Sequence, residues 1–205
     1  MKIIFLLSLL FNFLFADTNL KCEKYNSFKQ PEKYINCLNN YIDKNDFVAK
    51  KQMAEFYYKS QEPYRNYKKA IEWYMKVEKQ DASAQYTIGQ IYTFAGYGIQ
   101  KDYKLAAKWY KKAMKNGNLG AKLTMGTFYV HGLGVKKNCY KGLALYQELA
   151  DKNMPLAQDS LGHLYFEGRC VTKDIKKAKY WIRKGHQNGN TNIWFWHMQN
   201  WGPIE

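Results

Sequence analysis

Arginine and proline are both scarce in this chain: 205 residues hold three arginines (Arg65, Arg169 and Arg183) and four prolines. So few prolines, with only fourteen glycines, exclude a collagen-like or low-complexity polymer. The shortage of arginine, beside 29 lysines and a formal charge of +15, argues against a nucleic-acid partner, because readers of nucleic acid lean on guanidinium forks for phosphate and guanine. Basicity carried by lysine describes a solvated face, and it leaves an acidic partner or an anionic envelope surface open. Long apolar runs are missing too. The longest, residues 3–15, is interrupted by Ser8 and Asn12 and falls short of the roughly 20 residues that cross a bilayer.

Strings that carry chemistry are equally absent. S-x-x-K, S-D-N and K-T-G do not occur, so a serine β-lactamase site has no sequence basis. His131, His163, His186 and His197 form no H-x-x-x-H, the cysteines form no C-x-x-C, and no G-K-S/T follows a glycine turn. Ser160 and His163 stand one helical turn apart, but no carboxylate is assigned to orient the imidazole and helix-interior amides make no oxyanion hole. His163 and Glu167 have i, i+4 spacing, which gives two metal ligands and not a site. The reading therefore assigns no catalytic residue, no metal and no cofactor.

What is present begins with a leader. Lys2, the apolar stretch 3–15 and Ala16 have the pattern of a secretory signal peptide cleaved after Ala16, which leaves no membrane span and predicts a periplasmic or secreted bacterial protein. In "NLKC" a lysine occupies the place where a lipoprotein signal needs a small residue, so a lipid anchor at Cys22 is not expected. An oxidising compartment makes two disulfides the economical expectation for Cys22, Cys37, Cys139 and Cys170. Separations of 15 and 31 favour Cys22 with Cys37 and Cys139 with Cys170, among three connectivities that four cysteines allow.

Laid on itself, the chain repeats. Asn66, Asp102, Asn138 and Asp174 are 36 residues apart, and so are Ala70, Ala106, Gly142 and Ala178, and Trp73, Trp109, Leu145 and Trp181. Upstream, Ala54, Gly89, Gly126 and Gly162 precede Tyr57, Tyr92, Tyr129 and Tyr165 by three, with one extra residue in the copy that reads "YTFAG". Each copy reads as two helices. Gly96, Gly98, Gly132 and Gly134 supply left-handed turns between them, and the Asp or Asn that follows is the N-cap of the second helix. Gly117, Asn153 and Gly189 end the second helices. The mid-helix glycines make room for a large residue of the paired helix, and the spacing assigns that role, and the core, to Trp73, Trp109 and Trp181. The predicted architecture is all-α, a right-handed α-solenoid of stacked antiparallel hairpins of about 36 residues. Residues 17–47 form a degenerate N-terminal capping hairpin, 48–190 four repeats, and 191–205 a closing helix with Trp194, Trp196 and Trp201.

Strings such as "AQYTIGQIYTFAGYGIQKDYKLAAKWYKKAMKNGN" and "AQDSLGHLYFEGRCVTKDIKKAKYWIRKGHQNGN" resemble Sel-one-like repeats, cousins of tetratricopeptide repeats, over about residues 48 to 190. The resemblance implies an adaptor or scaffold that binds proteins or peptides. It also implies an alternative, a weak β-lactamase or a protein that binds penicillin or peptidoglycan fragments, like an exported cysteine-rich bacterial branch of the family. Members of that branch staple each helix pair with C-x7-C, a pattern this chain lacks.

Two rows of first-helix positions change chemistry from copy to copy. Gln52, Thr87, Thr124 and Ser160 make one, and Glu55, Gln90, Thr127 and His163 the other. In tetratricopeptide-like stacks the first helices line the concave surface, so these eight residues are the candidate ligand-binding strip for a protein or peptide, with Gln90, Thr127 and His163 at its centre. The expected protein is a monomer, with Lys108, Lys111, Lys112 and Lys115 on a solvated outer face.

Overall fold

The computed structural model describes residues 22, 24, 25 and 27–189. The leader and the closing helix expected at 191–205 lie outside them. The described residues are all-α: α1 (Pro31–Ile42), α2 (Phe47–Lys59), α3 (Tyr67–Met75), α4 (Ala82–Phe94), α5 (Tyr103–Lys115), α6 (Leu119–His131), α7 (Cys139–Asp151), α8 (Pro155–Glu167) and α9 (Ile175–Gln187). Two compact units divide between Lys101 and Asp102, with α1 to α4 in the first and α5 to α9 in the second. Within the first unit α1 packs on α2, α2 on α3 and α3 on α4; within the second, each of α5 to α9 packs on its neighbour in sequence.

The helix ends follow the repeat. Oδ1 of Asn66, Asp102, Asn138 and Asp174 accepts from the amides of Lys69, Leu105, Lys141 and Lys177, each at 2.9 Å. Each cap satisfies an amide the helix itself cannot, which is worth about 1 kcal/mol. A buried glutamine then ties one hairpin to the next. Gln85 Nε2 donates to the Glu78 carbonyl (2.6 Å), and Gln158 Nε2 donates to the Ala150 carbonyl (3.0 Å) while its Oε1 accepts from Asn188 (2.9 Å).

The core corrects the role expected of the tryptophans. Trp73, Trp109 and Trp181 are only half-buried, and the buried row is the one after them: Tyr74, Tyr110, Tyr146 and Ile182. On a helix, the residue four places beyond the fixed Ala or Gly lies about 40° from it around the axis and the residue three places beyond about 60°, so the former points more directly at the paired helix. It is Tyr146 that fills the gap over Gly126, where an added Cβ would be 2.6 Å from Cε1, and Ile182 that fills the gap over Gly162. The tryptophans flank the core, and a lysine three residues on lies over each ring: Lys76 on Trp73, Lys112 on Trp109, Lys184 on Trp181. In the third copy both partners change together, to Leu145 and Glu148, and Glu148 pairs instead with Lys122 (2.7 Å) and Lys152 (3.0 Å).

A second seam joins the start of each second helix to the turn of the next copy, with a different solution at each level. In the first unit the Tyr67 and Tyr97 rings meet edge to face at 4.9 Å. In the second unit Gly134 lies against the Tyr103 carbonyl. Thirty-six residues on from that pair, Cys139 and Cys170 are disulfide-bonded with Cα atoms 5.1 Å apart. Cys22 and Cys37 form the other disulfide (Cα–Cα 5.7 Å), which holds Cys22 in a small core with Leu38, Ala49 and Met53.

Candidate functional site

The eight row residues are all half-buried. Gln52 and Glu55 stand on α2, Thr87 and Gln90 on α4, Thr124 and Thr127 on α6, and Ser160 and His163 on α8. Their side chains divide into four hydroxyls and four amide, carboxylate or imidazole groups.

Hydroxyls form the first group. Tyr74 and Tyr146 enter the core from the second helices and bring a phenol that needs a partner once desolvated. Tyr74 finds it in Thr87. Tyr146 is bonded to Thr127 (2.7 Å) and also to Ser160, so one phenol joins α6, α7 and α8. Burial raises the pKa of both tyrosines, which keeps the neutral, donating form at any physiological pH. Thr87, Thr124 and Ser160 also donate to the carbonyls of Ser83 (3.0 Å), Gly120 (2.9 Å) and Leu156 (2.8 Å) one turn back. Row chemistry that varies between copies is therefore partly internal: the row supplies a hydroxyl to Tyr74 and to Tyr146. The register of 74, 110, 146 and 182, filled by a large residue in every copy, was the sequence signal for it.

The second group is Gln52, Glu55, Gln90 and His163. Glu55 pairs with Lys59 one turn along (2.9 Å). Gln90 is half-buried with no partner for its amide among the described residues. His163 Nε2 lies 3.3 Å from Asp159 Oδ1. Asp159 raises the imidazole pKa above its ordinary 6.5, burial opposes the shift, and Glu167 adds to it. A raised folded-state pKa contributes stability below the unfolded value and loses it as pH climbs through the folded value. The stability lost in His163→Gln should accordingly be greatest near pH 5 and shrink toward about pH 9. Urea midpoints measured across that range check it, and a loss constant with pH would contradict the pairing.

A buried carboxylate of the first unit lies at a helix start. Asp81 caps α4 through Ser83 (2.7 Å) and Ala84 (3.2 Å), and its other oxygen is 2.6 Å from Lys51. Burial pushes its carboxyl upward, yet Lys51 and the two amides outweigh that and hold it below the usual range. Away from the rows, a concavity of about 530 Å³ is lined by Lys24, Tyr25, Lys33, Asn36, Asn40 and Lys44 among others. Among the described residues no group of three His, Cys, Asp or Glu side chains is placed to hold a metal ion, and no helix is long and apolar enough to cross a membrane.

Comparison with known proteins gives this geometry a setting. The Sel1 repeat family model matches residues 48–76, 82–118, 121–154 and 155–190. Among solved structures, a Sel1 repeat protein from Oxalobacter formigenes is similar with a TM-score of 0.72 and 28% identity, over 87% of this chain and 75% of that one. A second, c5321, a protective antigen present in uropathogenic Escherichia coli strains and displaying an SLR fold, is similar with a TM-score of 0.66 and 26% identity, over 82% of this chain and 37% of that one. No curated protein matches the chain.

Proposed function

The chain belongs to the Sel1 repeat family, and we propose that it is an exported binding module whose first-helix rows receive a segment of a protein partner. Sel1 repeats generally mediate protein interactions. The observation that carries the reading to this chain is the inequality of the row positions: hydroxyls tied to buried tyrosines hold the first helices, while the half-buried Gln90 amide has no partner among the described residues. Export is supported by the leader-like residues 1–16, by two disulfides of the kind that persist outside a reducing cytosol, and by likeness to a bacterial antigen.

Thr127 cannot serve as a neutral test position, because its hydroxyl supports Tyr146. A photocrosslinking side chain at Gln90 or at His163 should capture a periplasmic or secreted protein, and the same group at Lys111 should not. In the double variant Gln90→Ala, His163→Gln, recovery of that partner should fall about tenfold with helicity unchanged. Equal capture from Lys111 would move the working surface to the second helices.

A further inference from the structure

The cations of the second unit are concentrated on two helices. α5 carries Lys104, Lys108, Lys111, Lys112 and Lys115, α9 carries Lys176, Lys177, Lys179, Arg183 and Lys184, and neither contains an acid. Between them in sequence, α7 occupies the same place in its repeat with Glu148 and Asp151 and a single lysine, Lys141. The repeat therefore folds without such a charge, and the lysines of α5 and α9 are not a requirement of packing. Stacking on aromatic rings accounts for Lys112 on Trp109, Lys184 on Trp181, Lys111 on Tyr129 and Lys177 on Tyr165. Lys104, Lys108, Lys115, Lys176, Lys179 and Arg183 are all exposed and have no carboxylate partner among the described residues. Beside them stand exposed Tyr180, exposed Ile175 and the half-buried rings of Trp109 and Trp181.

We propose that the outer faces of α5 and α9 form a docking surface for an anionic membrane, held at the phospholipid headgroups without insertion of a helix. Charge complementarity selects an anionic occupant. The kind of cation selects among anionic ones. Cores of protein interfaces are depleted of lysine and rich in arginine, and nucleic acid is read by arginine forks, whereas one arginine stands here among ten cations. Flexible ammonium groups match a diffuse layer of headgroup charge, which needs no bidentate geometry. Tyrosine and tryptophan next to the lysines supply the side chains that favour the water–lipid boundary. Each helix is about 20 Å long, so its charges lie across several headgroups at once.

Each lysine near an anionic bilayer contributes roughly fivefold to partitioning, screened within a Debye length of about 10 Å at 0.1 M salt. The full chain should cosediment with vesicles of phosphatidylcholine containing 30% phosphatidylglycerol at least tenfold more than with phosphatidylcholine alone. Pure phosphatidylcholine measures what the apolar residues 3–15 contribute by themselves. The excess should vanish by about 0.5 M salt. Lys104→Gln, Lys108→Gln, Lys115→Gln together, or Lys176→Gln, Lys179→Gln, Arg183→Gln together, should each lower it more than tenfold, with unchanged helicity. Lys44→Gln, Lys68→Gln, Lys79→Gln, exposed in the first unit, removes the same charge and should lower it less than threefold. Equal losses from all three variants, or no excess on anionic vesicles, would overturn the proposal. Retention of soluble heparin without vesicle binding would overturn it in favour of an acidic polymer.

Discussion

Gly134→Ala should destabilise the fold by about 3–4 kcal/mol, whereas Gly132→Ala, two residues away, should cost about 1–2 kcal/mol. Both glycines are left-handed, with φ of 61° and 75°, so the conformational penalty of a side chain is shared. The surroundings differ. A Cβ at Gly134 would overlap the Tyr103 carbonyl oxygen and approach the Lys104 amide nitrogen to 2.6 Å, and those atoms belong to the first turn of α5. Backbone fixed by an N-cap cannot rotate away as a side chain can. At Gly132 the nearest atom is the Lys137 Cβ at 3.3 Å, which a small shift accommodates. Gly98, the equivalent of Gly134 in the copy before, has nothing within 4 Å, so its alanine variant should lose only the conformational part. Urea unfolding of the three variants gives the ranking, and equal losses would show that close approach to α5 contributes nothing.

Removing the Cys139–Cys170 disulfide should cost about 3–4 kcal/mol and lower the melting temperature by roughly 6–12 °C. The bond closes a loop of sequence separation 31, and opening it returns that loop's entropy to the unfolded chain. How the cysteines are replaced matters as well. Cys170 has φ of 64°, a conformation that costs an L side chain roughly 1 kcal/mol and glycine almost nothing. Cys139→Ala with Cys170→Gly should therefore remain about 1 kcal/mol more stable than Cys139→Ala with Cys170→Ala. Thermal melts of the oxidised protein and the two variants test both statements. An unchanged melting temperature in both variants would mean that packing alone holds the seam between α7 and the last turn.

The seam shows where sequence reading stops. Tyr103 and Gly134 are separated by the same 31 residues as Cys139 and Cys170, and each member lies 36 residues before its counterpart. The cysteine pair was visible because disulfide chemistry marks it. The tyrosine and glycine carry no such mark, and only the placement of backbone on backbone identifies them as the same contact. The polar rows behave likewise. Variation between copies located Gln90, Thr127 and His163, but one phenol decides that Thr127 serves the fold, while the Gln90 amide has no partner among the described residues.

The sequence by itself determined the helices, their caps, their turns and the period of 36, because capping, left-handed glycine and apolar spacing are local effects that act within a few residues. Tertiary structure alone decided that Tyr74, Tyr110, Tyr146 and Ile182, and not the tryptophans, fill the core, that phenols bind the row hydroxyls, and that the chain divides between Lys101 and Asp102. Residues three and four places along a helix differ by only about 100° in direction, and either can carry an apolar stripe. Which one is enclosed depends on the distance of the facing backbone, a quantity set by Gly126 and Gly162 on another helix.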